Sequence, residues 1–172
     1  AGIKLFGQYS RAEEQKSISI NLGEEYGTTE VCYPFFLGNK VTVFKNLLLR
    51  TSGQDWGITK LKDAFCAEVI KGQIDLEFMD SRPVAVYING EYWGLYNLRE
   101  KVNESYLSSH RGLNPDNVDI IKANKNVRAG TFDAYSNMLN YVKTHDLRVK
   151  ENYDYVASIV DIDNFIDYWI VE

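Results

Sequence analysis

The sequence predicts an α+β fold in which a mainly antiparallel sheet comes first and helices follow. Three observations predict it. Over the first hundred residues, apolar side chains alternate with period two or form short runs, and an Asn-Gly pair marks a tight hairpin. Over the rest of the chain, apolar residues recur at helical spacing. Strands grouped ahead of helices are typical of this fold class.

The first strands follow from alternation and from one apolar run. Residues 3–6 and 16–22 alternate in the manner of half-buried strands. The polar segment 7–15 joins them, which predicts a hairpin with a long tip. Residues 41–50 contain a near-continuous apolar run, and this is typical of a strand in the middle of a sheet.

A helix and a second hairpin are predicted next. Four apolar residues recur at helical spacing and predict a helix that packs on the sheet. Gly72 predicts the end of this helix. The four are Ile58, Leu61, Phe65 and Val69. Residues 84–88 then alternate, Asn89 and Gly90 suit the two positive-φ positions of a type I′ turn, and residues 92–98 return as the partner strand.

The remaining elements are mostly helical. Asn103 is a suitable cap for a helix of about eight residues that ends at Gly112. A short strand is predicted at residues 118–121. Three more helices are predicted, the first opening at Thr131 and the others spanning residues 153–160 and 162–171.

The composition is that of one folded domain. The chain has 172 residues, of which 45% are hydrophobic and 25% charged. A net charge of -5 and a pI near 5.1 provide no global positive field, which argues against nucleic acid as a partner. No apolar stretch reaches the roughly 18 residues that a membrane-spanning helix needs. Cys32 and Cys66 leave two interpretations open, one disulfide or two buried thiols.

Common catalytic and metal-binding motifs are not found in the sequence. It has neither a Gly-x-Ser-x-Gly elbow nor a glycine-rich phosphate loop. His110 and His145 are far apart and lack neighbours at ligand spacing, so we predict no metal site and place both at surface helix ends. Asp161 and Asp163 form an Asp-x-Asp pair where a helix begins, and capping is favoured over metal binding there.

Charged residues at the ends of strands and helices are the remaining candidates for chemistry. Arg11 and Lys16 flank the first hairpin, Arg50 ends the central strand, and Asp63 begins the next helix. A guanidinium at a strand end that faces a carboxylate in the following helix can position a charged ligand. The same arrangement also serves as a structural ion pair. Spacing alone leaves both interpretations open.

Several strings of residues are specific enough to indicate a family. They are Ser10-Arg11 followed by Lys16-Ser17, Arg50-x-Ser52-Gly53-x-Asp55, Lys62-Asp63, the string YINGEYWGLYNLREK over residues 87–101, and the string DIDNFIDY over residues 161–168. Together they resemble the spore coat protein H kinase-like family. The resemblance covers essentially the whole chain, and the string over residues 87–101 is the most specific.

The resemblance implies an atypical protein kinase. Such a kinase uses ATP with Mg²⁺ or Mn²⁺ to phosphorylate serine in protein substrates, in bacterial proteins that are secreted or lie at the cell surface. By analogy with a kinase small lobe, Arg50 takes the place of the strand lysine, and Asp63 or Glu68 that of its helix partner. Residues 100–102 become the hinge beside the adenine. Residues 7–16 become the loop over the phosphates, although they lack a kinase glycine pattern.

The nucleotide-binding candidates on this resemblance are Arg11, Lys16, Arg50, Asp63 and Glu100. The chain is then a single incomplete domain, with a sheet-rich lobe over about residues 1–100 and the start of a helical lobe over about residues 101–172. The family's catalytic aspartates follow the segment that matches residues 161–168, so we expect them beyond Glu172 and expect this stretch to be inactive alone. The apolar stripe that reaches Trp169 and Ile170 leaves an uncovered patch, through which two copies could associate.

Two other interpretations are open. A non-catalytic extracellular module would bind carbohydrate or protein through the aromatic hairpin, where alternation places Tyr92 and Tyr96 on one face and Trp93 on the other. Exposed together beside Trp56, the two tyrosines would form a sugar platform. Alternatively, the strings serve folding alone, and Arg50 forms a partly buried structural ion pair with Asp63 or Glu100.

Overall fold

The computed structural model describes residues 1–123 and 125–171, and it confirms the α+β class. The strands are β1 Gly2–Phe6, β2 Ser17–Asn21, β3 Val31–Cys32, β4 Val43–Phe44, β5 Asn46–Arg50, β6 Ser81–Ile88, β7 Glu91–Arg99, β8 Ile120–Lys122 and β9 Asn126–Ala129. The helices are α1 Lys62–Ile70, α2 Glu104–Arg111, α3 Asp133–Thr144, α4 Lys150–Ile159 and α5 Ile162–Val171. Short 3-10 turns occupy several of the loops.

The main sheet has five strands in the order β1-β2-β5-β7-β6, and each pair of adjacent strands is antiparallel. The strand that ends at Arg50 is central, as the apolar run predicts. The run over residues 41–50 is nevertheless two strands, because Lys45 interrupts it. β4 pairs with β3, which the sequence did not predict, and the two form a separate two-stranded sheet.

The two faces of the main sheet differ in polarity. The core cluster lies on one face and consists of Phe36, Phe44, Leu47 and Leu98, with Ile20, Val31, Phe35, Val41, Leu49 and Val84 packed against it. In β5, Leu48 and Arg50 point away from this cluster because successive side chains of a strand alternate. Register places Leu48 opposite Arg99 and Arg50 opposite Asn97. The second face therefore carries the polar residues of the sheet.

The β6–β7 hairpin forms where Asn89-Gly90 predicts it, with φ of 53° and 85° at these two residues. The prediction that Tyr92 and Tyr96 lie on the same face of this hairpin is wrong. Val86 pairs with Gly94 and Tyr87 pairs with Tyr92, so Trp93 is an extra residue that shifts the alternation by one. Tyr92 is 61% exposed, whereas Tyr96 is 1% exposed.

The helix after the central strand starts four residues later than its apolar spacing predicts. α1 begins at Lys62 and has no buried residue. The four apolar residues that predict the helix are all exposed: Ile58, Leu61, Phe65 and Val69. The backbone of the preceding segment bends instead, and Lys60 has a positive φ of 60°. The helix contacts the sheet through a charged residue, Asp63.

The second half forms as its caps predict. The Asn103 side chain accepts a hydrogen bond from the backbone of Tyr106 at 3.0 Å, and α2 ends at Gly112 with a φ of 67°. Asp161 accepts from the backbone of Asn164 at 3.0 Å, which confirms the helix cap. β8 has a partner, β9, that the sequence did not predict. In the described residues, no helix is long and apolar enough to cross a membrane.

The cysteines and histidines differ from the prediction in three cases. Cys32 and Cys66 are free and exposed, so neither a disulfide nor a pair of buried thiols forms. His145 is exposed at the end of α3 and stacks on Tyr141, as expected of a surface residue. His110 is only 22% exposed in its side chain, because it lies against a buried glutamate.

Candidate functional site

Three charged side chains meet on the polar face of the sheet. Arg50 Nε donates to Asp63 Oδ2 at 2.5 Å, and Arg99 Nη1 donates to the same oxygen at 2.6 Å. The first pair is the one predicted from the sequence. Asp63, and not Glu68, is therefore the helix partner of Arg50. Sequence reasoning missed Arg99, although alternation in β7 places it on the same face as Asn97, which lies opposite Arg50.

The Arg50–Asp63–Arg99 cluster carries one positive charge more than it has negative charges. Two guanidinium groups share one carboxylate, and both bonds go to a single oxygen. Asp63 Oδ1 and Arg99 Nε are buried and have no hydrogen-bond partner. Burial lowers the pKa of Arg99, against the opposing effect of Asp63. Such buried groups without partners are rare in folded proteins, and each requires an explanation such as strain, a catalytic role or a bound water or ion.

Arg50 is the accessible member of the cluster. Its side chain is 28% exposed, whereas that of Arg99 is 5% exposed. Among the described residues, its terminal nitrogens have no hydrogen bond to the protein, and its contact with Asp63 runs through Nε. Gly53 leaves room for this end of the guanidinium, because a Cβ there would lie 3.1 Å from Nη2. The positive φ of 57° at Gly53 also favours glycine.

Asp55 shapes the segment between β5 and α1. Its carboxylate accepts from the Thr59 hydroxyl at 2.5 Å and from the backbone nitrogens of Thr59, Leu61 and Lys62 at 3.2, 3.1 and 3.0 Å. These bonds, above all the one from the Thr59 hydroxyl, lower the pKa of Asp55 from 3.8 to about 2. Asp55 therefore directs the start of α1, which carries Asp63 one residue later.

Low pH should reduce the stability of the fold, because Asp55 becomes protonated. A carboxyl whose pKa is depressed in the folded state stabilises the fold above its unfolded pKa, and this contribution is lost as the pH falls from about 4 to about 2. We expect Asp55→Asn to be less stable than the wild type at pH 7, with a gap that narrows over this acid range. Urea midpoints measured at a series of pH values test this. The exposed Asp116→Asn is the control, and a gap that does not change with pH would contradict the prediction.

A buried polar network holds the same segment against the sheet. Asn97 Nδ2 donates to Ser52 Oγ and to the carbonyl of Lys60, both at 3.0 Å. The Ser17 and Thr51 hydroxyls lie 3.1 Å apart, and both residues are almost fully buried. Ser52 has a positive φ of 65°. These contacts explain why the string that begins at Arg50 is rich in small polar residues, since each one satisfies a buried backbone or side-chain group.

Arg11 and Lys16 lie in the loop between β1 and β2, apart from the cluster. Lys16 Nζ donates to the carbonyls of Arg11 and Glu13 at 2.9 and 2.7 Å, so its ammonium group stabilises its own loop. Arg11 is exposed. Gln15 links the loop to the other segments, because it donates to the carbonyl of Leu95 and accepts from Lys60 Nζ. The structure thus places this loop beside the segment that leads to Asp63.

Glu100 lies at a different position from the cluster. Its side chain is 3% exposed, and its oxygens accept from Asp80 N at 3.2 Å and from Asn39 Nδ2 at 3.3 Å. His110 Nε2 lies 2.7 Å from Glu100 Oε1. The carboxylate therefore ties the end of β7 to α2 and to two loops, and no hydrogen bond in the described structure joins it to Arg50 or Asp63. A cavity of about 220 Å³ opens on this side, lined in part by Lys101.

Metal ligands are not gathered in this part of the protein. Over residues 1–123 and 125–171, the structure contains no group of three or more histidine, cysteine, aspartate or glutamate side chains placed to hold an ion. Asp161 is engaged as a helix cap, as described above. We therefore name no metal ligand in the described residues.

Comparison with known proteins identifies the family. A search of curated proteins finds no match. The sequence model of one family, described as CotH kinase protein, matches residues 3–172 and thus nearly the whole chain. The match includes the strings that indicated this resemblance and every residue of the Arg50–Asp63–Arg99 cluster. The chain belongs to the CotH kinase protein family.

Proposed function

We propose that the protein is part of an atypical kinase domain that binds ATP through Arg50 and transfers its phosphate to serine in protein substrates. The observation that supports it is the pairing of Arg50, on the central strand, with Asp63, on the following helix. In protein kinases a strand lysine contacts the ATP phosphates and pairs with a glutamate of the next helix. Arg50 and Asp63 have the same order along the chain, the same elements and the same charges.

Arginine suits this role for a chemical reason. A guanidinium presents several donors in a plane and binds phosphate through two parallel hydrogen bonds, whereas a lysine acts as a point charge. Because Arg50 contacts Asp63 through Nε, its terminal nitrogens are oriented and accessible. Phosphoryl transfer depends mainly on positioning and on neutralising phosphate charge, and Arg50 supplies both. A divalent cation bound with ATP would neutralise the remaining phosphate charge.

Two neighbouring segments complete the proposed nucleotide site. The loop of residues 7–16 is attached by Gln15 to β7 and to Lys60, which lies just ahead of α1. It would lie over the phosphates. Residues 100–102 connect the sheet to α2, and their backbone would lie beside the adenine. The buried contact of Glu100 with the backbone of Asp80 ties this connection to the start of β6.

The wider context is part of the same proposal. Residues 1–100 would form the sheet-rich lobe and residues 101–172 the beginning of a helical lobe. Serine-containing proteins outside the cell or at its surface would be the substrates. A second copy would associate through α5, where Trp169 and Ile170 are 65% and 74% exposed. The alternative of a sugar platform on the hairpin has no support, because Tyr96 is buried.

Arg50→Ala tests the proposed phosphate contact. We expect it to weaken MgATP binding at least about tenfold, because a charge-assisted hydrogen bond contributes about 1.5–3 kcal/mol and 1.4 kcal/mol corresponds to a factor of ten. Isothermal titration calorimetry measures the affinity. Arg82→Ala is the matched control, since Arg82 is an exposed arginine of the same sheet. Equal affinities of wild type and Arg50→Ala, or no MgATP binding by the wild type, would contradict the proposal.

A further inference from the structure

Arg99 has no role in the proposed nucleotide contact, yet its surroundings are unusual. Its side chain is 5% exposed and makes one ion pair, through Nη1, with Asp63. Its Nε is buried without a partner. A purely structural ion pair of this kind would more often be bidentate, because parallel bonds satisfy two nitrogens and two oxygens at once. Here one oxygen of Asp63 accepts from both arginines and the other accepts from none.

We propose that Arg99 is a positioning residue that keeps the guanidinium of Arg50 available to the phosphate groups of its ligand. The inference rests on the site of the proposed function and deepens it. Arg99 would not touch the ligand. It would act through Asp63, whose carboxylate it shares with Arg50.

The first reason is competition for Asp63. Arg99 Nη1 occupies Oδ2 at 2.6 Å, and Arg50 contacts the same oxygen through Nε only. Without Arg99, Oδ2 would accept from Arg50 alone, and the carboxylate, whose Oδ1 already lacks a partner, could turn to accept two parallel bonds from Arg50, which is the favoured geometry of an arginine–carboxylate pair. Arg50 would then use in a salt bridge a terminal nitrogen that now lacks a protein partner.

The second reason is charge. With Arg99 the cluster has a net charge of about +1, and without it Arg50 and Asp63 neutralise each other. Arg99 and the neighbouring Leu48 and Asn97 are buried, whereas the side chains of Arg50 and Asp63 are 28% and 27% exposed. The charge of Arg99 is therefore screened by less water than an exposed charge is, so its loss has a larger effect on a nearby anion.

Inorganic pyrophosphate is the probe that tests this inference without requiring kinase activity. We expect wild-type protein to bind it, and Arg99→Gln to bind it about tenfold more weakly, which corresponds to about 1.4 kcal/mol. Arg99→Lys restores the charge and should bind within about threefold of the wild type. Arg82→Gln, the exposed arginine control, should not differ from wild type. Calorimetry gives the affinities, and circular dichroism confirms that each variant is folded.

A second readout covers a variant that fails to fold. In wild-type protein, the NMR signal of the Arg50 Nε–H group should shift on addition of pyrophosphate, because the guanidinium becomes doubly engaged. An unshifted Arg50 signal, or equal pyrophosphate affinities of wild type and folded Arg99→Gln, overturns the inference. If pyrophosphate binds and depends on Arg99 while MgATP does not bind, the anion site stands and the proposed kinase function fails. If MgATP binds through Arg50 and Arg99→Gln has no effect, the positioning role fails alone.

Discussion

Replacing Glu100 with alanine is expected to lower the free energy of unfolding by about 3–5 kcal/mol, because a buried carboxylate with several partners is removed. Its side chain is 3% exposed, and it accepts from the backbone of Asp80 and from Asn39. His110 also lies within hydrogen-bond distance. In the variant the backbone N–H of Asp80 would be left buried without an acceptor, which costs about 1–3 kcal/mol, and the partly buried Asn39 and His110 would also lose their partner. Chemical denaturation measures the difference.

Two variants show whether the effect comes from burial. Glu100→Gln keeps the shape and one acceptor, so we expect a smaller loss, about 1–3 kcal/mol. Glu91→Ala removes an exposed glutamate at the start of β7, the strand that precedes Glu100, and should change stability by less than about 0.5 kcal/mol. If Glu100→Ala were no more destabilising than Glu91→Ala, Glu100 would not hold β7 to α2.

Tyr96→Ala is expected to destabilise the protein by a similar amount, about 3–5 kcal/mol, as for other large aromatic side chains removed from a core. Tyr96 is 1% exposed and is the largest of the fully buried side chains. Its hydroxyl donates to the carbonyl of Lys16 at 3.1 Å. The side chain therefore supports the loop of residues 7–16 from beneath as well as filling space. Thermal and urea denaturation measure the loss.

Matched variants separate the parts of this effect. Tyr96→Phe removes only the hydroxyl and should lower stability by about 1 kcal/mol. Tyr92→Ala removes a tyrosine of the same hairpin that is 61% exposed, and we expect a change below about 1 kcal/mol. A larger loss from Tyr92→Ala than from Tyr96→Ala would show that the aromatic facing described above is wrong.

The secondary structure was predicted best where a single residue determines the backbone. Asn89 and Gly90 suit a turn that few other pairs adopt, and the hairpin forms there. Asn103 and Gly112 mark the two ends of α2 because each satisfies a local geometric requirement. Such signals depend on neighbours within a few positions, so they can be read without knowledge of the fold.

Predictions from apolar spacing alone were less accurate. The spacing from Ile58 to Val69 predicts a helix, yet α1 begins only at Lys62 and its apolar residues are exposed. Asp55 explains the late start, because its carboxylate binds backbone nitrogens up to Lys62 and keeps the preceding residues in a turn. In the hairpin, the extra residue at Trp93 reverses the faces that alternation predicts.

The candidate site was predicted in part. Arg50 and Asp63 are 13 positions apart in sequence and belong to a strand and the helix that follows it, so their pairing could be predicted. Arg99 is 36 positions from Asp63 and reaches it only because β7 pairs with β5 in one register. Glu100 follows directly in the chain but has other partners, in loops and in α2.

The fold class and the family followed from the sequence, which also named Arg50 and left Asp63 or Glu68 open as its helix partner. Local turn and cap chemistry, alternation and the specific strings at Arg50 and over residues 87–101 were sufficient for these. The choice of Asp63, the third charge of the cluster, the burial of Tyr96 and the partners of Glu100 became known only from the folded structure. Each depends on strand register or on contacts between distant segments, and these arise only when the sheet assembles and removes particular side chains from water.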